Sequence, residues 1–147
     1  MLNAHGYPVH QFGRHAEKLA IAGRAGVETE VGGGPPPVAA YDYVVDATGS
    51  PEGLRQAVAM TRPRGTLILK STVHGMVAVD TAPVIVNELT LVGSRCGRFE
   101  AALPLIDHDL IRVQEMVADR FPLSQAPAAF ARAAERGVLK VLLTADR

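Results

Sequence analysis

The sequence has little that would tie it to a disulfide framework, a zinc cluster or a charged partner. It contains one cysteine and no tryptophan, and aromatic residues make up only 5% of the chain. A single cysteine excludes an internal disulfide network and a cysteine-rich metal site. The 15 basic and 15 acidic residues give a net charge of zero, which removes the electrostatic attraction that nucleic acid or an anionic membrane surface would need.

Long apolar runs are also missing. No run approaches the ~18 residues that a membrane-spanning helix needs, and polar residues and glycine interrupt the start of the chain, unlike a signal peptide. We therefore expect a cytoplasmic protein with neither a membrane nor a nucleic acid as partner. The 147 residues are 48% hydrophobic and 20% charged, which is typical of one folded domain.

The common phosphate-binding and metal-binding signatures are absent. Neither a GxGxxG nor a GxxxxGK[ST] pattern occurs, and the only glycine triplet is followed by three prolines, which cannot open a strand-to-helix turn. The five histidines show no metal-ligand spacing. Motifs alone therefore assign no activity.

The apolar residues that are present fall into short runs separated by amphipathic segments. This alternation predicts an α/β fold with a parallel sheet, right-handed crossovers and flanking helices. In the segment between two strands, Ser50 is expected to cap a helix that starts at Pro51 and that Pro63 and Gly65 stop. The predicted strands are Tyr7–Phe12, Tyr43–Ala47, Thr66–Leu69 and Leu89–Val92, and the predicted helices are His15–Arg24, the one after Ser50, Ala82–Glu88 and Phe99–Ile106.

We expect a single, partial domain over residues 1–147, with residues 32–37 as a flexible Gly/Pro loop rather than a domain boundary. Towards the C-terminus, Gln125–Glu135 reads as a helix and Val138–Leu143 as a strand. The chain contains no obvious partner strand for Val138–Leu143. We therefore expect that its partner strand is missing and that the domain is incomplete.

Small or polar residues follow several of the predicted strands, as in Gly13-Arg14-His15, Ala47-Thr48-Gly49-Ser50 and Gly93–Gly97. Ligands of open parallel sheets bind beyond the carboxyl ends of the strands, where glycine lets the backbone approach them closely. Ordinary turns explain the same residues equally well. The lone Cys96 is more typical of an inert thiol than of a reactive one.

The order of these segments resembles the C-terminal part of medium-chain dehydrogenases/reductases, the zinc-type alcohol dehydrogenase family. YDYVVDATGSPEGLRQAVAMTRPRGTLILKST is similar to the family's fourth strand, following helix and fifth strand, and NELTLVGSRCGRFEAALPLI to its sixth strand and next helix. RFPLSQAPAAFARAAERGVLKVLL resembles its closing segment, and GYPVHQFGRHAEKLAIAGRAGVE its second strand and helix. The resemblance implies a Rossmann-like, incomplete sheet.

The chain departs from the family's pattern in what it omits. A full member begins with a catalytic domain that carries zinc ligands, followed by a first strand and a Gly-rich phosphate turn, and neither precedes the matching segments here. We therefore expect a truncated or split gene product, or the C-terminal piece of a longer one. Zinc is not expected to bind this chain, no catalytic residue is assigned to it, and the isolated chain is expected to be inactive.

The resemblance also implies contacts to a nicotinamide dinucleotide. The position of the family's ribose-binding acid is occupied here by Gly13, and Arg14 follows it. The resemblance therefore favours NADP over NAD, because a guanidinium binds a 2′-phosphate well. The other positions that match the family's cofactor contacts are Ala47, Thr48 and Gly49 along the ribose, Lys70 and Ser71 near the nicotinamide ribose, Ser94, Arg95 and Cys96 near the carboxamide, and Lys140 near the pyrophosphate.

Two other functions stay open at this point. Tyr41–Leu69 also resembles the middle of a Rossmann-like S-adenosylmethionine methyltransferase, whose sheet closes with an antiparallel hairpin. A non-catalytic remnant or oligomerisation module is the second alternative. In that case the strand Leu89–Val92 would pair with a second copy of the chain. The expected protein partners are accordingly a second copy of the chain or the missing N-terminal half.

Overall fold

The computed structural model describes residues 1–73, 75–111 and 113–145 and has alternating strands and helices. Single 3-10 turns occur at Asn3–His5, Gln114–Met116 and Leu123–Gln125. The longer elements, in chain order, are β1 (His10–Gly13), α1 (Ala16–Arg24), β2 (Glu28–Val31), β3 (Tyr41–Asp46), α2 (Pro51–Met60), β4 (Thr61–Leu69), α3 (Ala82–Val86), β5 (Thr90–Gly93), α4 (Phe99–Asp107), β6 (Val117–Pro122), α5 (Ala126–Ala133) and β7 (Lys140–Thr144).

The chain divides into two compact units. The first unit comprises Met1–Gly33 and the segment from Gly97 onwards, and the second comprises Gly34–Cys96. The first passage between them falls inside the Gly/Pro-rich segment 32–37, which has neither helix nor strand. Three consecutive prolines lack N–H donors and fix their backbone angles, so this segment cannot join a regular hydrogen-bonded element.

The second unit is built on a three-stranded parallel sheet with the order β3-β4-β5. Val44, Leu67 and Leu91 lie side by side across the three strands. Val44 and Leu67 are buried, as are Ala57 and Val58 of α2. The continuous apolar runs of β3 and β4 therefore supply the core of this unit, as expected for strands in a parallel sheet.

Helix α2 begins where its sequence predicts. The Ser50 side chain accepts a hydrogen bond from the Gly53 N–H, and Pro51 occupies the first helical position, where a missing N–H costs nothing. The end of the helix differs from the expectation. It ends at Met60, and Thr61 already begins β4, so Pro63 and Gly65 do not stop the helix.

Pro63 and Gly65 lie instead in an irregular part of β4. The pairing with β3 shifts between Tyr41 opposite Thr61 and Tyr43 opposite Thr66, so the residues between them leave the regular ladder. A proline is tolerated there because no ladder hydrogen bond is required of it. Gly65 is also needed, since a Cβ at this position would lie 2.8 Å from the Arg62 carbonyl oxygen.

The first unit holds two separate pairs of parallel strands, β1 with β2 and β6 with β7. Helix α1 connects β1 to β2 and buries Leu19. The expected strand Tyr7–Phe12 begins three residues later, at His10, and ends one residue later, at Gly13. Sequence analysis did not predict β2.

The expectation that Val138–Leu143 has no partner strand is wrong. This segment forms β7, which pairs in parallel with β6 over Val117–Pro122. The partner was missed because its sequence, VADRFP, includes Asp119 and Arg120 and lacks a continuous apolar run. The side chain of Asp119 instead accepts a hydrogen bond from Arg132 of α5, 2.6 Å away.

The α/β class with parallel sheets and flanking helices is confirmed. Every strand pair among the described residues is parallel. No helix in the described ranges has the length and apolarity needed to cross a membrane.

Candidate cofactor site

The carboxyl ends of β3, β4 and β5 lie along one edge of the second unit's sheet, because the three strands are parallel neighbours. The residues that follow β3 are Ala47, Thr48 and Gly49, all exposed. Gly49 has φ +68°, a conformation that side-chain-bearing residues rarely adopt. This turn brings the chain from β3 into α2 and leaves its backbone accessible at the edge where ligands of such sheets bind.

Two of the predicted segments are in direct contact. The Gly49 N–H donates to the Ser71 hydroxyl oxygen at 2.9 Å, which links the turn after β3 to the residues after β4. The Ser71 hydroxyl in turn donates to the main-chain carbonyl of Asp46 at 3.2 Å. The predicted positions 47–49 and 70–71 therefore form one hydrogen-bonded patch.

Lys70 connects this patch to the end of β5. Its ammonium donates to the main-chain carbonyl of Arg95, and the Ser94 N–H donates to the Leu69 carbonyl at 2.9 Å. The Lys70 charge thus fixes the backbone of the Ser94–Cys96 segment. Arg95 and Cys96 are both exposed, and the Cys96 thiol is free.

Sequence analysis missed one residue of this edge, the buried Asp46 at the last position of β3. Its carboxylate Oδ1 accepts the Thr48 N–H at 3.0 Å and the Thr48 hydroxyl at 2.8 Å. An acid that ends an apolar strand and precedes a threonine by two residues is the pattern of an Asx turn. That local pattern, D-x-T, was the signal available in the sequence.

The remaining predicted positions belong to the first unit. Gly13 ends β1, and its carbonyl accepts the Gly32 N–H at 2.8 Å. Arg14 follows it, exposed, and makes no hydrogen bond or ion pair with any residue the structure describes. A Cβ at position 13 would lie 3.1 Å from the Leu19 side chain, so glycine also allows α1 to approach the strand. Lys140, the first residue of β7, is exposed.

The edge of the second unit offers backbone groups at small residues, three hydroxyls at Thr48, Ser71 and Ser94, and two cations at Lys70 and Arg95. Within the described ranges, no three His, Cys, Asp or Glu side chains are grouped so as to hold a metal ion. The architecture and this edge together define an α/β domain of the dinucleotide-binding type.

Comparison with known proteins identifies relatives that this chain resembles. A sequence profile described as zinc-binding dehydrogenase matches residues 38–108. D-arabitol-phosphate dehydrogenase from Enterococcus avium is 27% identical over 109 residues, which cover 71% of this chain and 31% of that protein.

Two solved structures share the fold. A zinc-binding dehydrogenase from Sinorhizobium meliloti 1021, bound to NADP, is 24% identical with a TM-score of 0.77, and the match covers 92% of this chain and 44% of that one. A short chain alcohol dehydrogenase from Escherichia coli CFT073, with NADH bound, is 19% identical with a TM-score of 0.79, and the match covers 97% of this chain and 47% of that one.

The chain resembles the medium-chain dehydrogenases/reductases, the zinc-type alcohol dehydrogenase family, over part of that family's cofactor-binding domain. It spans about a third of the length of the curated relatives that it matches, 31% and 30% for two of them. The resemblance drawn from the sequence is therefore confirmed.

Proposed function

We propose that this chain is the nicotinamide-dinucleotide-binding part of an oxidoreductase that acts on an alcohol or carbonyl substrate, with NADP favoured over NAD. The observation that carries the proposal is the linked edge of the β3-β4-β5 sheet. There, the Gly49 N–H, the Ser71 hydroxyl and the Lys70 ammonium tie three adjacent strand ends together. Parallel α/β sheets bind their ligands at this edge.

The proposed contacts follow from what each segment offers. Backbone groups and small side chains at the β3 and β4 ends suit ribose hydroxyls, and the backbone after β5 suits the carboxamide. In the first unit, Lys140 supplies a charge for the pyrophosphate. The residues assigned on this basis are Ala47, Thr48, Gly49, Lys70, Ser71, Ser94, Arg95, Cys96 and Lys140, together with Gly13 and Arg14.

The preference for NADP rests on Gly13 and Arg14. An acidic side chain at the end of β1 would accept hydrogen bonds from a ribose 2′-hydroxyl, but it would repel a 2′-phosphate. Gly13 has no such group, and the Arg14 guanidinium is exposed and makes no ion pair with a described residue. A guanidinium matches a phosphate with two parallel charge-assisted hydrogen bonds.

When bound, the cofactor supplies the hydride exchanged with the substrate carbon. The chain's own residues bind and orient the dinucleotide. We propose that substrate binding and any zinc chemistry need the other part of such an enzyme, which this chain does not cover, and that the chain alone does not turn over. A second copy of the chain or a separate N-terminal half is the proposed protein partner.

No observation favours the methyltransferase alternative, since the described strands pair only in parallel. For location we propose the cytoplasm, because the exposed, unpaired Cys96 thiol suits a reducing compartment.

The test is a comparison of NADPH and NADH binding, followed by nicotinamide fluorescence on the purified chain. We expect NADPH to bind about tenfold more tightly, because a charge-assisted hydrogen bond contributes roughly 1.5–3 kcal/mol and each 1.4 kcal/mol is a factor of ten. Arg14→Ala should remove most of this ratio and leave NADH affinity nearly unchanged.

Arg136→Ala is the matched control, because Arg136 is also exposed and belongs to no proposed contact. It should keep the wild-type ratio. Equal affinities for the two cofactors, or tighter binding of NADH, would contradict the assignment of Arg14.

A further inference from the structure

Asp46 is a buried acid that none of the proposed cofactor contacts uses. Its exposed fraction is 3%, although it stands at the end of β3 next to an exposed turn. Removing a carboxylate from water is costly unless hydrogen bonds compensate for it. The position of Asp46 therefore has to be explained by what its oxygen atoms bind.

The side chain of Asp46 holds the turn that follows β3. Its Oδ1 accepts both the backbone N–H and the hydroxyl of Thr48, at 3.0 and 2.8 Å. Both bonds are made to one carboxylate oxygen, and they compensate for its removal from water. Thr48 is thereby fixed at its backbone and at its side chain. This also fixes the position of the chain where it continues into Gly49, whose φ is positive.

The main chain of Asp46 holds the neighbouring strand end. Its carbonyl accepts the Lys70 N–H at 2.9 Å, the Ser71 N–H at 3.1 Å and the Ser71 hydroxyl at 3.2 Å. The Ser71 oxygen then accepts the Gly49 N–H at 2.9 Å. A closed ring is thus formed. Hydrogen bonds join the Asp46 side chain to Thr48, the peptide chain continues to Gly49, and further hydrogen bonds lead from Gly49 through Ser71 to the Asp46 carbonyl.

We propose that Asp46 is a positioning residue, whose buried carboxylate acts as a hydrogen-bond acceptor that holds the Thr48–Gly49 turn against Ser71 in the conformation that binds the cofactor. This inference rests on the proposed function of the edge. Asp46 itself touches no ligand in this account. Its role requires an acceptor oxygen at Oδ1 and does not require the negative charge.

The requirement for an acceptor separates two variants of the same position. Asp46→Asn keeps an oxygen acceptor for the Thr48 donors, whereas Asp46→Ala removes it. We expect the dissociation constant of NADPH to rise about tenfold in Asp46→Ala and to stay within about threefold of wild type in Asp46→Asn. Thr48→Val and Thr48→Ser form a second pair, because only serine keeps the hydroxyl.

Hydrogen exchange of single amides gives a readout that does not depend on the cofactor. In Asp46→Ala the amides of Thr48 and Gly49 should exchange at least about tenfold faster than in wild type, because their positions are no longer fixed. Val44→Ala is the control. Val44 is buried two residues earlier on β3, so its truncation lowers the melting temperature without removing a bond of the ring.

The outcomes are distinct. Faster exchange and weaker NADPH binding in Asp46→Ala, both rescued in Asp46→Asn, support the positioning role. An effect of Asp46→Ala no larger than that of Val44→Ala overturns it, and so does equal loss in Asp46→Asn. If Asp46→Ala fails to fold, the exchange rate of the Gly49 amide decides: faster exchange in Thr48→Val that Thr48→Ser rescues supports the role, and unchanged exchange in Thr48→Val overturns it. A wild-type chain that binds neither nicotinamide cofactor refutes the proposed function instead, independently of the exchange rates.

Discussion

At the scale of single residues, Gly53 determines whether Thr48 can reach Asp46. Gly53 lies in the first turn of α2 and is buried, and a Cβ built there would lie 1.9 Å from the Thr48 hydroxyl oxygen. Atoms cannot approach so closely, so any side chain at this position has to displace Thr48. The glycine is thus required by the turn, although alanine is the better helix former by about 1 kcal/mol.

We predict that Gly53→Ala lowers the free energy of unfolding by roughly 1–3 kcal/mol, the usual cost of forcing atoms into an occupied space. Urea denaturation followed by circular dichroism measures it. Gly33→Ala is the control, since a Cβ at position 33 meets no atom within 4 Å and the backbone there is not left-handed. A Gly53→Ala variant as stable as wild type would show that Thr48 is not held where the structure places it.

Sequence reasoning found the exposed residues of the edge and missed the buried one. Small residues after a strand are visible in the sequence, and they predict Ala47, Thr48 and Gly49. Asp46 reads only as a strand residue, because its partners at Thr48 and Ser71 become its neighbours only through the turn and the β3–β4 pairing. Its burial follows from those contacts, and a sequence pattern does not show them.

At the scale of elements, the start of α2 illustrates how local chemistry sets a boundary. Ser50 accepts the Gly53 N–H at 3.1 Å. Glu52 stands in the first turn, where a negative charge interacts favourably with the helix dipole. Hydrogen bonds from Arg55 and Gln56 hold the pKa of the Glu52 carboxyl below its usual value. These features are local, which is why sequence predicted this boundary correctly.

Replacing the cap tests this account of the helix. Ser50→Ala should lower the free energy of unfolding by about 1 kcal/mol, because one N–H of the first turn loses its acceptor. Thr81→Ala is the matched control, since Thr81 occupies the same position before α3 but makes no side-chain capping bond. Thermal unfolding of both variants measures the difference. Equal melting temperatures in the two variants would contradict the role given to Ser50.

The elements that sequence analysis missed share a weak apolar signal. Strand β2 reads ETEV, with two glutamates, and three of its four residues are exposed. Strand β6 reads VADRFP, with no residue that is fully buried. Both are recognised in the structure by parallel pairing with a strand distant in sequence, to β1 and β7 respectively. Pairing of this kind depends on tertiary contacts, so periodicity along one segment does not reveal it.

At the scale of the whole molecule, the proposed cofactor contacts are distributed over two compact units. Gly13, Arg14 and Lys140 belong to the first unit, and the linked edge around Ser71 and Lys70 belongs to the second. The linked edge of the second unit carries the proposal. The central claim is therefore that the Gly49, Ser71 and Arg95 segments of this edge bind the nicotinamide dinucleotide.

The most direct measurement is a titration of the isotope-labelled chain with NADPH, followed by the chemical shifts of its backbone amides. We predict saturable shifts at Gly49, Ser71 and Arg95 of the linked edge, all described by one dissociation constant. Shifts confined to residues outside this edge, or no saturable change up to millimolar NADPH, would contradict the account.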